Sequence, residues 1–204
     1  MIDYKLLGEA QSYYSKFGYN YIEVPWMVSA NCDNITKPAG VKEMKIEYNG
    51  KHIIASGEQG FLYLRMKGYI NNGRYQTITP CFRNEVQDNI HQKMFMKCEL
   101  IEFVPIGMDM DELKTKMDDI AKDAYTFFEI HAKDPSELKY ADVNEVFPLV
   151  IKPLCKNLCQ RDIMYRGFEI GSYGIREYND IAWIYGTGLA EPRFSKINSI
   201  RERQ

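Results

Sequence analysis

Long apolar runs are missing from this sequence, and no apolar stretch approaches the roughly 20 residues that a membrane-spanning helix needs. The first residues, MIDYKLLGEAQ, also lack the basic-then-apolar order of a secretory signal peptide. The cysteines are few, and their odd number, five, is atypical of a disulfide scaffold and typical of a reducing compartment. We therefore expect a cytoplasmic protein with no membrane partner.

An excess of charge of one sign is missing too. The formal net charge is −2 at pH 7, so there is no overall basic field that would attract nucleic acid. The composition gives no evidence for a DNA partner and no support for an RNA partner. The 15 tyrosines are scattered through apolar segments, and we interpret most of them as half-buried packing residues with a polar tip.

The 204 residues, with 45% hydrophobic content, fit a single globular domain over 1–204 that can bury a core. Apolar residues at helical intervals predict one helix over 3–17, with Gly18 at its C-terminal cap, and an amphipathic helix over 109–131. Three prolines interrupt 133–165, and that segment is compatible with both a short strand and a short helix. We assign it no function.

The stretch 81–103, CFRNEVQDNIHQKMFMKCELIEF, has two apolar runs around a polar loop, which predicts a β-hairpin. Arg83 and Glu85 lie two apart, on one face of the first strand. Further along, polar and aromatic residues recur at intervals of four, which is a same-face spacing for a strand and equally for a helix. These residues are His91, Phe95 and Glu99.

Two interpretations of the charged hairpin face are open. An arginine fork such as Arg83 binds a phosphate and a carboxylate together, as the joining of ATP to an acid requires, and it stabilises charge that develops at phosphorus. Phe95 is suited to stacking on a purine, and His91 or Lys93, in the loop, to reaching the outer phosphates. The alternative is an amphipathic hairpin with a solvated face, because short motifs often match by chance.

Several segments precede the hairpin. The strand predicted for 19–28, YNYIEVPWMV, is broken by Pro25, which cannot donate to a sheet ladder and suits an edge or interface position. Residues 30–52 are polar and predict a loop and a short hairpin with Asn49-Gly50 at its turn. After a further apolar strand a helical pattern resumes, and Glu58 stands where an acid at a helix N-terminus is expected.

The last part of the chain combines two strands with a glycine-rich segment. Phe168-Glu169-Ile170 begins a strand, and Ser172 stands three residues after Glu169. The apolar run 181–185 predicts the second strand, and the segment after it, GTGLAEPR, predicts a strand-to-helix transition. Proline is tolerated in a first helical turn, so Arg193 is placed at the start of the helix.

Three segments, in order, resemble the signature motifs of class II aminoacyl-tRNA synthetases. Residues 10–28 resemble motif 1 through a helix, Gly18-Tyr19, a strand and Pro25. Residues 80–103 resemble motif 2 through Phe82-Arg83-Asn84-Glu85, then His91, Phe95 and Glu99. Residues 183–200 resemble motif 3 through Gly186, Gly188 and Arg193, with Ala190 in place of a third glycine. CFRNE and FMKCEL are similar to the seryl enzymes and FRNE with ELIEFVP to the glycyl enzymes, so the subgroup is left open.

The resemblance implies an α+β fold, in which helices flank an antiparallel sheet of six or seven strands. It also implies ATP-dependent activation of an amino acid to an aminoacyl-adenylate, with Arg83 as the catalytic residue that bridges carboxylate and α-phosphate. The glycines of motif 3 would let the backbone approach the adenine. The implied ATP-binding residues are Arg83, Glu85, His91, Phe95 and Arg193. The implied amino-acid-binding residues are Glu58, Glu99 and Arg176, and Glu169 and Ser172 would hold Mg²⁺.

The same resemblance implies a homodimer through the Pro25 segment. The chain ends eleven residues after Arg193, so we expect a bare catalytic core, a truncated or stand-alone homologue with no anticodon-binding domain. The acceptor of the aminoacyl group, a tRNA or a carrier protein, is left open. The alternative is a synthetase-like paralogue that has lost catalysis and acts as a regulatory or accessory subunit.

Overall fold

The computed structural model describes residues 1–37, 46–84, 87–143 and 154–200. The helices are α1 (Tyr4–Ser15), α2 (Ala30–Thr36), α3 (Gly57–Met66), α4 (Met110–His131) and α5 (Arg193–Asn198). The strands are β1 (Asn20–Tyr21), β2 (Met27–Ser29), β3 (Glu47–Tyr48), β4 (Lys51–Ile53), β5 (Gly73–Phe82), β6 (Met94–Val104), β7 (Leu138–Asp142), β8 (Lys156–Tyr165), β9 (Phe168–Tyr178) and β10 (Ile181–Glu191).

A seven-stranded sheet in the order β1-β5-β6-β10-β9-β8-β7 forms the centre of the molecule. All its neighbouring strands are antiparallel except β1 and β5, which pair in parallel at one edge. A smaller sheet contains β2, β4 and β3. The predicted α+β fold, with an antiparallel sheet of six or seven strands, is therefore confirmed, apart from that one parallel pair.

The large helices cover one face of the sheet. Asp3 caps α1, and Gly18, with φ +82°, follows its end, as the apolar pattern over 3–17 predicts. The long helix α4 buries one apolar stripe, as expected of the amphipathic helix predicted over 109–131, and this stripe packs with α1, α5 and the sheet in the main core. Its buried members include Leu113, Met117, Ile120, Ala124 and Phe127. The other face of the sheet is left for α3, the small sheet and a cleft.

The segment 19–28 differs from the single strand that we predicted. Pro25 separates β1, at the edge of the large sheet, from β2, which pairs with β4 of the small sheet. Because proline has no N–H to donate, the chain leaves the first sheet before it and enters the second after it. Pro25 itself therefore lies between the two sheets, just after the edge strand β1.

The loop predicted within 30–52 is partly wrong, because α2 begins directly after Ser29. The Ser29 side chain accepts a hydrogen bond from the N–H of Cys32, and α2 buries Cys32 and Ile35. The hairpin at Asn49-Gly50 is confirmed, with φ of 50° and 68° at the two turn residues. The turn signal at residues 38–40 lies outside the described residues.

The segment 133–165, which the sequence left undecided, contains two strands, β7 and β8, in its described part.

All five cysteines are free, and Cys81 and Cys98 are fully buried in the hairpin. No helix of the described residues has the length and apolarity to cross a membrane.

Candidate active site

Strands β5 and β6 form the predicted hairpin, in which Thr77 faces Glu99, Thr79 faces Lys97 and Cys81 faces Phe95. Alternate residues of a strand share a face, so Phe95, Lys97 and Glu99 point to the same side of the sheet. His91 precedes β6 and lies in the loop, so the same-face prediction is wrong for this residue.

A cleft of about 300 Å³ opens on this face of the sheet. Eight of the ten predicted site residues line it: Glu58, Arg83, Phe95, Glu99, Glu169, Ser172, Arg176 and Arg193. His91 lines an adjoining cavity of about 420 Å³, which shares Arg83, Glu169 and Arg193 with the first. Glu85 lies outside the described residues. Residues that are up to 135 positions apart in the chain, from Glu58 to Arg193, are thus brought to one cleft.

Arg83 lies directly after β5 and keeps the hairpin paired, since its backbone N–H donates to the carbonyl oxygen of Lys93 at 2.9 Å. Its Nε donates to the carbonyl oxygen of Ala55 at 3.1 Å. The guanidinium carbon stands 5.1 Å from the centre of the Phe95 ring. These contacts hold the guanidinium in one orientation, as positioning of a reactive phosphate requires.

Glu99 is almost fully buried and accepts three hydrogen bonds. Its Oε1 accepts from Ser56 Oγ at 2.5 Å and from Lys97 Nζ at 3.0 Å, and its Oε2 accepts from the N–H of Gly57 at 2.7 Å. Burial raises the pKa of the Glu99 carboxyl, but the charge of Lys97 and the hydrogen bonds outweigh burial and hold that pKa below its ordinary value. Glu99 is therefore an anion held within a ring of donors.

Gly57 allows α3 to approach the hairpin. A Cβ atom there would lie 2.8 Å from Cγ2 of Thr79 and 3.1 Å from Oε2 of Glu99. The side chain of Ser56 caps the helix, accepting from the N–H of Glu58 at 3.4 Å. Glu58 lies in the first turn of α3, as an acid at a helix N-terminus, and its contact with a substrate stays a prediction.

Glu58 is held by two residues of the neighbouring strands. Its Oε2 accepts from Arg176 Nη1, and its Oε1 from Trp183 Nε1, both at 2.6 Å. The Arg176 guanidinium also lies over the Tyr185 ring, 4.1 Å from its centre. Burial lowers the pKa of Arg176, but the charge of Glu58 outweighs burial and raises it overall. The two residues that we predicted to bind an amino acid separately form one buried ion pair.

Glu169 and Ser172 share a face because β9 contains an extra residue. Glu169 pairs with Met164 and Gly171 with Ile163, so Ile170 bulges between them. Three residues apart on a regular strand, Glu169 and Ser172 would point to opposite faces. Both line the cleft, where Glu169 Oε1 accepts from Arg193 Nη1 at 3.3 Å and Ser172 Oγ accepts from Gln160 Nε2 at 3.2 Å.

The oxygen atoms of Glu169 and Ser172 are hard donors that fit a magnesium ion whose remaining ligands are phosphates and water. The described residues contain no group of three or more histidine, cysteine or acidic side chains placed for a metal. A site of this kind therefore depends on ligands that a bound nucleotide would bring.

Gly188 is the extra residue of a second bulge, in β10. Thr187 pairs with Glu99 and Leu189 with Cys98, so Ala190 returns to the cleft face, where it packs with Cys81 and Phe95. Arg193 begins α5, as we predicted.

The two motif 3 glycines face the helices. A Cβ on Gly186 would lie 2.9 Å from Ile120, and one on Gly188 would lie 2.7 Å from Tyr14. The packing of α1 and α4 requires both glycines, and the approach of adenine to the backbone at these positions stays a prediction.

Asp88 organises the loop that carries His91. Its Oδ1 accepts from the N–H groups of Ile90 and His91 at 2.7 and 2.6 Å, and its Oδ2 contacts His91 Nδ1 at 2.8 Å. The backbone N–H and the ring of His91 are the main causes that lower the pKa of Asp88 to about 2. The contact at Nδ1 leaves Nε2 as the outward nitrogen of the imidazole.

Solved synthetase structures match this architecture over nearly the whole chain. A cytoplasmic serine-tRNA ligase from Naegleria fowleri, in complex with AMP, matches 97% of this chain with a TM-score of 0.72 and 14% identity. Two structures of pyrrolysyl-tRNA synthetase from Desulfitobacterium hafniense match 95% and 98% of it, each with a TM-score of 0.66, at 15% and 14% identity. No protein-family model and no curated protein matches the sequence.

The chain has the fold of a class II aminoacyl-tRNA synthetase catalytic core.

The predicted resemblance is thereby confirmed at the level of the fold. The chain spans about half of the seryl enzyme, 54% of its length, and 67% and 73% of the two pyrrolysyl enzymes.

Sequence reasoning missed one wall of the cleft. The buried carboxylate of Asp33, on α2, contacts His52 Nδ1 at 3.0 Å and accepts from Gln59 Nε2 at 2.6 Å. All three residues line the cleft. Their positions in sequence show no common spacing, so no signal could have identified them. Lys97 was also missed, although its place two residues before Glu99 on a strand would have indicated it.

Proposed function

We propose that this protein joins ATP to an amino acid, forming an aminoacyl-adenylate and pyrophosphate. The observation that carries the proposal is the convergence of Arg83, Glu99, Glu169 and Arg193 on one cleft, because the sequence suggested these residues independently of any structure. The AMP held by the seryl neighbour gives further support for a nucleotide at this site.

In the proposed reaction, a carboxylate oxygen of the amino acid attacks the α-phosphorus of ATP. The bond from that phosphorus to the bridging oxygen breaks, and pyrophosphate leaves with the electron pair. Arg83 binds the carboxylate and the α-phosphate together, so it orients the attack and stabilises the developing charge without a protein nucleophile. The contacts of Arg83 with Ala55 and Phe95 support this role, because they fix the guanidinium before a ligand arrives.

The nucleotide would lie between the hairpin and the start of α5. In this assignment Phe95 supplies a ring for the adenine, and Arg193 and His91 bind the outer phosphates. Glu85 is the remaining ATP-binding residue that the resemblance implies. The sharing of Arg83 and Arg193 between the two cavities supports a continuous path for the phosphate chain. Glu169 and Ser172 would hold Mg²⁺, which neutralises phosphate charge when it is bound.

The ammonium group of the amino acid would bind at Glu58 and Glu99. Each carboxylate has about four lone-pair positions, of which Glu58 uses two and Glu99 uses three in the described contacts. Both therefore retain acceptor capacity toward a substrate. Their protein partners, Arg176 and Lys97, hold the two carboxylates in place.

Exchange of labelled pyrophosphate into ATP, measured with each of the twenty amino acids, tests this function. We expect exchange that depends on one amino acid or on a few related ones. Exchange with none of them, together with no binding of ATP to the folded protein, would refute the proposal.

The second candidate function is that of an accessory subunit without catalysis. One observation favours it: Glu58 and Glu99, the proposed ammonium ligands, are already neutralised by Arg176 and Lys97. On this hypothesis the ion pairs stabilise the fold and no substrate competes for them. The exchange measurement decides between the two candidates.

The partners follow as further proposals. Exposed aromatic side chains on either side of Pro25, Tyr21 at 40% and Trp26 at 57% exposure, support a homodimer interface at the edge strand β1. The aminoacyl group would pass to a tRNA or a carrier protein.

A cytoplasmic location agrees with five unpaired cysteines.

A further inference from the structure

We propose that His52, oriented by Asp33, is the general base that takes the proton of a hydroxyl acceptor when the aminoacyl-adenylate is cleaved. This inference rests on the proposed function, and it extends that function to the second step of the reaction. A chain of hydrogen bonds from Ala55 to the imidazole of His52 carries it, because the direction of each bond in the chain is determined.

The backbone of Ala55 sets the orientation of the Gln59 amide. The N–H of Ala55 can only donate, and it donates to Gln59 Oε1 at 2.7 Å. The amide nitrogen of Gln59 therefore points the other way, where it donates to Asp33 Oδ1 at 2.6 Å and to the Asp33 carbonyl oxygen at 3.3 Å. Gln59 and Asp33 are both buried. The carboxylate of Asp33 is thus held in one orientation.

Asp33 in turn determines which nitrogen of His52 carries the proton. The oxygen atoms of a carboxylate only accept, and Asp33 Oδ2 lies 3.0 Å from His52 Nδ1. Nδ1 is therefore the donor, and Nε2 of the neutral ring is the acceptor. The charge of Asp33 also stabilises the imidazolium that forms when Nε2 takes a proton. We call these two residues the Asp33–His52 dyad.

The dyad borders the place where the proposed adenylate would be cleaved. Arg83, which would bind the acyl group and the α-phosphate together, donates from Nε to the carbonyl oxygen of Ala55 at 3.1 Å. His52 precedes Ala55 by three residues, so their Cα atoms are at most about 11 Å apart. The His52 side chain is 21% exposed and lines the cleft, so a ligand in the cleft has access to it.

The dyad also lies on a different wall from the proposed nucleotide. His52 belongs to β4 and Asp33 follows the first residues of α2, whereas the nucleotide would lie between the β5–β6 hairpin and the start of α5. An acceptor can therefore approach the acyl carbon from the side of α2 and β4 while AMP is still bound.

The chemistry requires a base in the second step only. In the first step a carboxylate oxygen attacks phosphorus, and no proton moves. In the second step the acceptor oxygen attacks the acyl carbon, the bond from that carbon to the phosphate oxygen breaks, and AMP leaves with the electron pair. The hydroxyl proton passes to His52 Nε2 and from there to solvent.

The remaining carboxylates that line the described cleft are less suited to this role, because each is paired with a cation. A proton on one of them would leave its partner without a counter-ion. They are Glu58, Glu99 and Glu169, paired with Arg176, Lys97 and Arg193. Histidine is the side chain that in general exchanges its proton near neutral pH, and His52 is the one histidine among the described residues of this cleft.

Release of labelled AMP from the enzyme-bound adenylate, in a single turnover, tests the role of His52. The adenylate is offered glycerol, whose hydroxyl must lose a proton as it attacks, or hydroxylamine, which attacks through a neutral nitrogen. His52→Ala should lower the glycerol-dependent release at least about 100-fold, since general bases contribute about 10²–10⁴-fold. The losses in hydroxylamine-dependent release and in pyrophosphate exchange should be far smaller, and added imidazole should restore part of the release with glycerol.

Equal losses in all three reactions would assign His52 to the structure alone and overturn the proposal. Equal glycerol-dependent release in the variant and the unmodified protein, including none in either, would overturn it as well. His131→Ala is the matched control, because His131 also contacts a carboxylate, that of Glu9, and does not line the cleft. This variant should match the unmodified protein with both nucleophiles.

Asp33→Asn is a second test that changes no side-chain volume. Gln59 Nε2 still requires an acceptor at Oδ1, so the new NH₂ group faces His52 Nδ1 and donates to it. The ring proton then moves to Nε2, which can no longer act as a base. We expect a loss of glycerol-dependent release of about 100-fold or more with little change in Tm. Full release by this variant would contradict the assigned direction of the hydrogen bonds.

If no amino acid supports pyrophosphate exchange, adenylate formation fails and the dyad is tested by itself. Synthetic seryl-adenylate and glycyl-adenylate are then added to the protein in place of ATP and amino acid. Faster glycerol-dependent AMP release by the unmodified protein than by His52→Ala supports the base. Equal release by the two proteins overturns it.

Discussion

The hydroxyl of Tyr14 donates a hydrogen bond to the carbonyl oxygen of Gly188 at 2.9 Å, and its ring fills the space where a side chain on Gly188 would begin. This contact joins the first helix of the chain to the bulge of the last strand. It therefore couples the segment that resembles motif 1 to the one that resembles motif 3.

Gly188→Ala should destabilise the protein. The new Cβ would stand 2.7 Å from Tyr14 and 3.1 Å from the backbone carbonyl oxygen of Cys98, which cannot rotate away. Overpacking of this kind costs about 1–3 kcal/mol in the free energy of unfolding. Urea denaturation followed by circular dichroism measures it. Gly8→Ala, within α1 and with no atom within 4 Å of the new Cβ, is the control and should stabilise by about 0.5–1 kcal/mol.

Arg83→Ala should reduce amino-acid-dependent pyrophosphate exchange by about 100-fold or more, because it removes the proposed contact to the developing charge. Arg161→Ala is the matched control, since the Arg161 side chain pairs with Asp118 and Asp142 and does not line the cleft. Exchange that survives in the Arg83 variant would show that the hairpin has been assigned the wrong role.

Glu58→Gln should lower the free energy of unfolding by about 3–5 kcal/mol, because the buried charge of Arg176 loses its counter-ion. Adding Arg176→Met to that variant removes the unpaired charge and should recover part of the loss. Glu9→Gln, which breaks an exposed pair with Lys5, is expected to change stability little. Equal stability of the two glutamate variants in urea would contradict the buried ion pair.

The carboxyl of Asp88 should titrate with a midpoint of about 2, below its ordinary value of 3.8. Since the folded pKa is the lower one, the contacts to Ile90 and His91 favour the ordered loop above pH 3.8, and this stabilisation is lost as the pH falls through about 2. Carbon NMR of the labelled carboxyl measures the midpoint directly. Asp88→Asn assigns the signal, and a midpoint near 3.8 would contradict the loop geometry.

Trp26→Glu should convert a dimer to a monomer in light scattering at micromolar concentration, because it places a charge within the proposed interface. Tyr69→Glu, at a side chain that is 72% exposed and outside the motif 1 segment, should leave the mass unchanged. A monomeric unmodified protein at this concentration would refute the proposed interface.

Local patterns in the sequence predicted several elements of the fold, and the resemblance predicted eight of the residues that line the cleft. The hairpin, the long amphipathic helix and the turn at Asn49-Gly50 follow from residue periodicity and backbone preference, and the structure contains them. Position within three ordered motifs then identified residues of the cleft that are far apart in sequence.

Pairings between distant residues could not be predicted in this way. Glu58 was assigned to a substrate, and only the tertiary structure brings Arg176 and Trp183 to its two oxygen atoms. Helix α2 was missed because its apolar face consists of few residues in a polar segment, so burial against α3 rather than propensity determines it.

Because of the bulge at Ile170, the number of residues between Glu169 and Ser172 does not indicate whether their side chains share a face. A regular strand with the glutamate and the serine two residues apart would present the same oxygen atoms on the same face, without the extra residue. Gly188 has the same effect for Thr187 and Ala190. Chains that differ in the number of residues between these positions can therefore build equivalent clefts, and a search that demands one fixed spacing would pass over them.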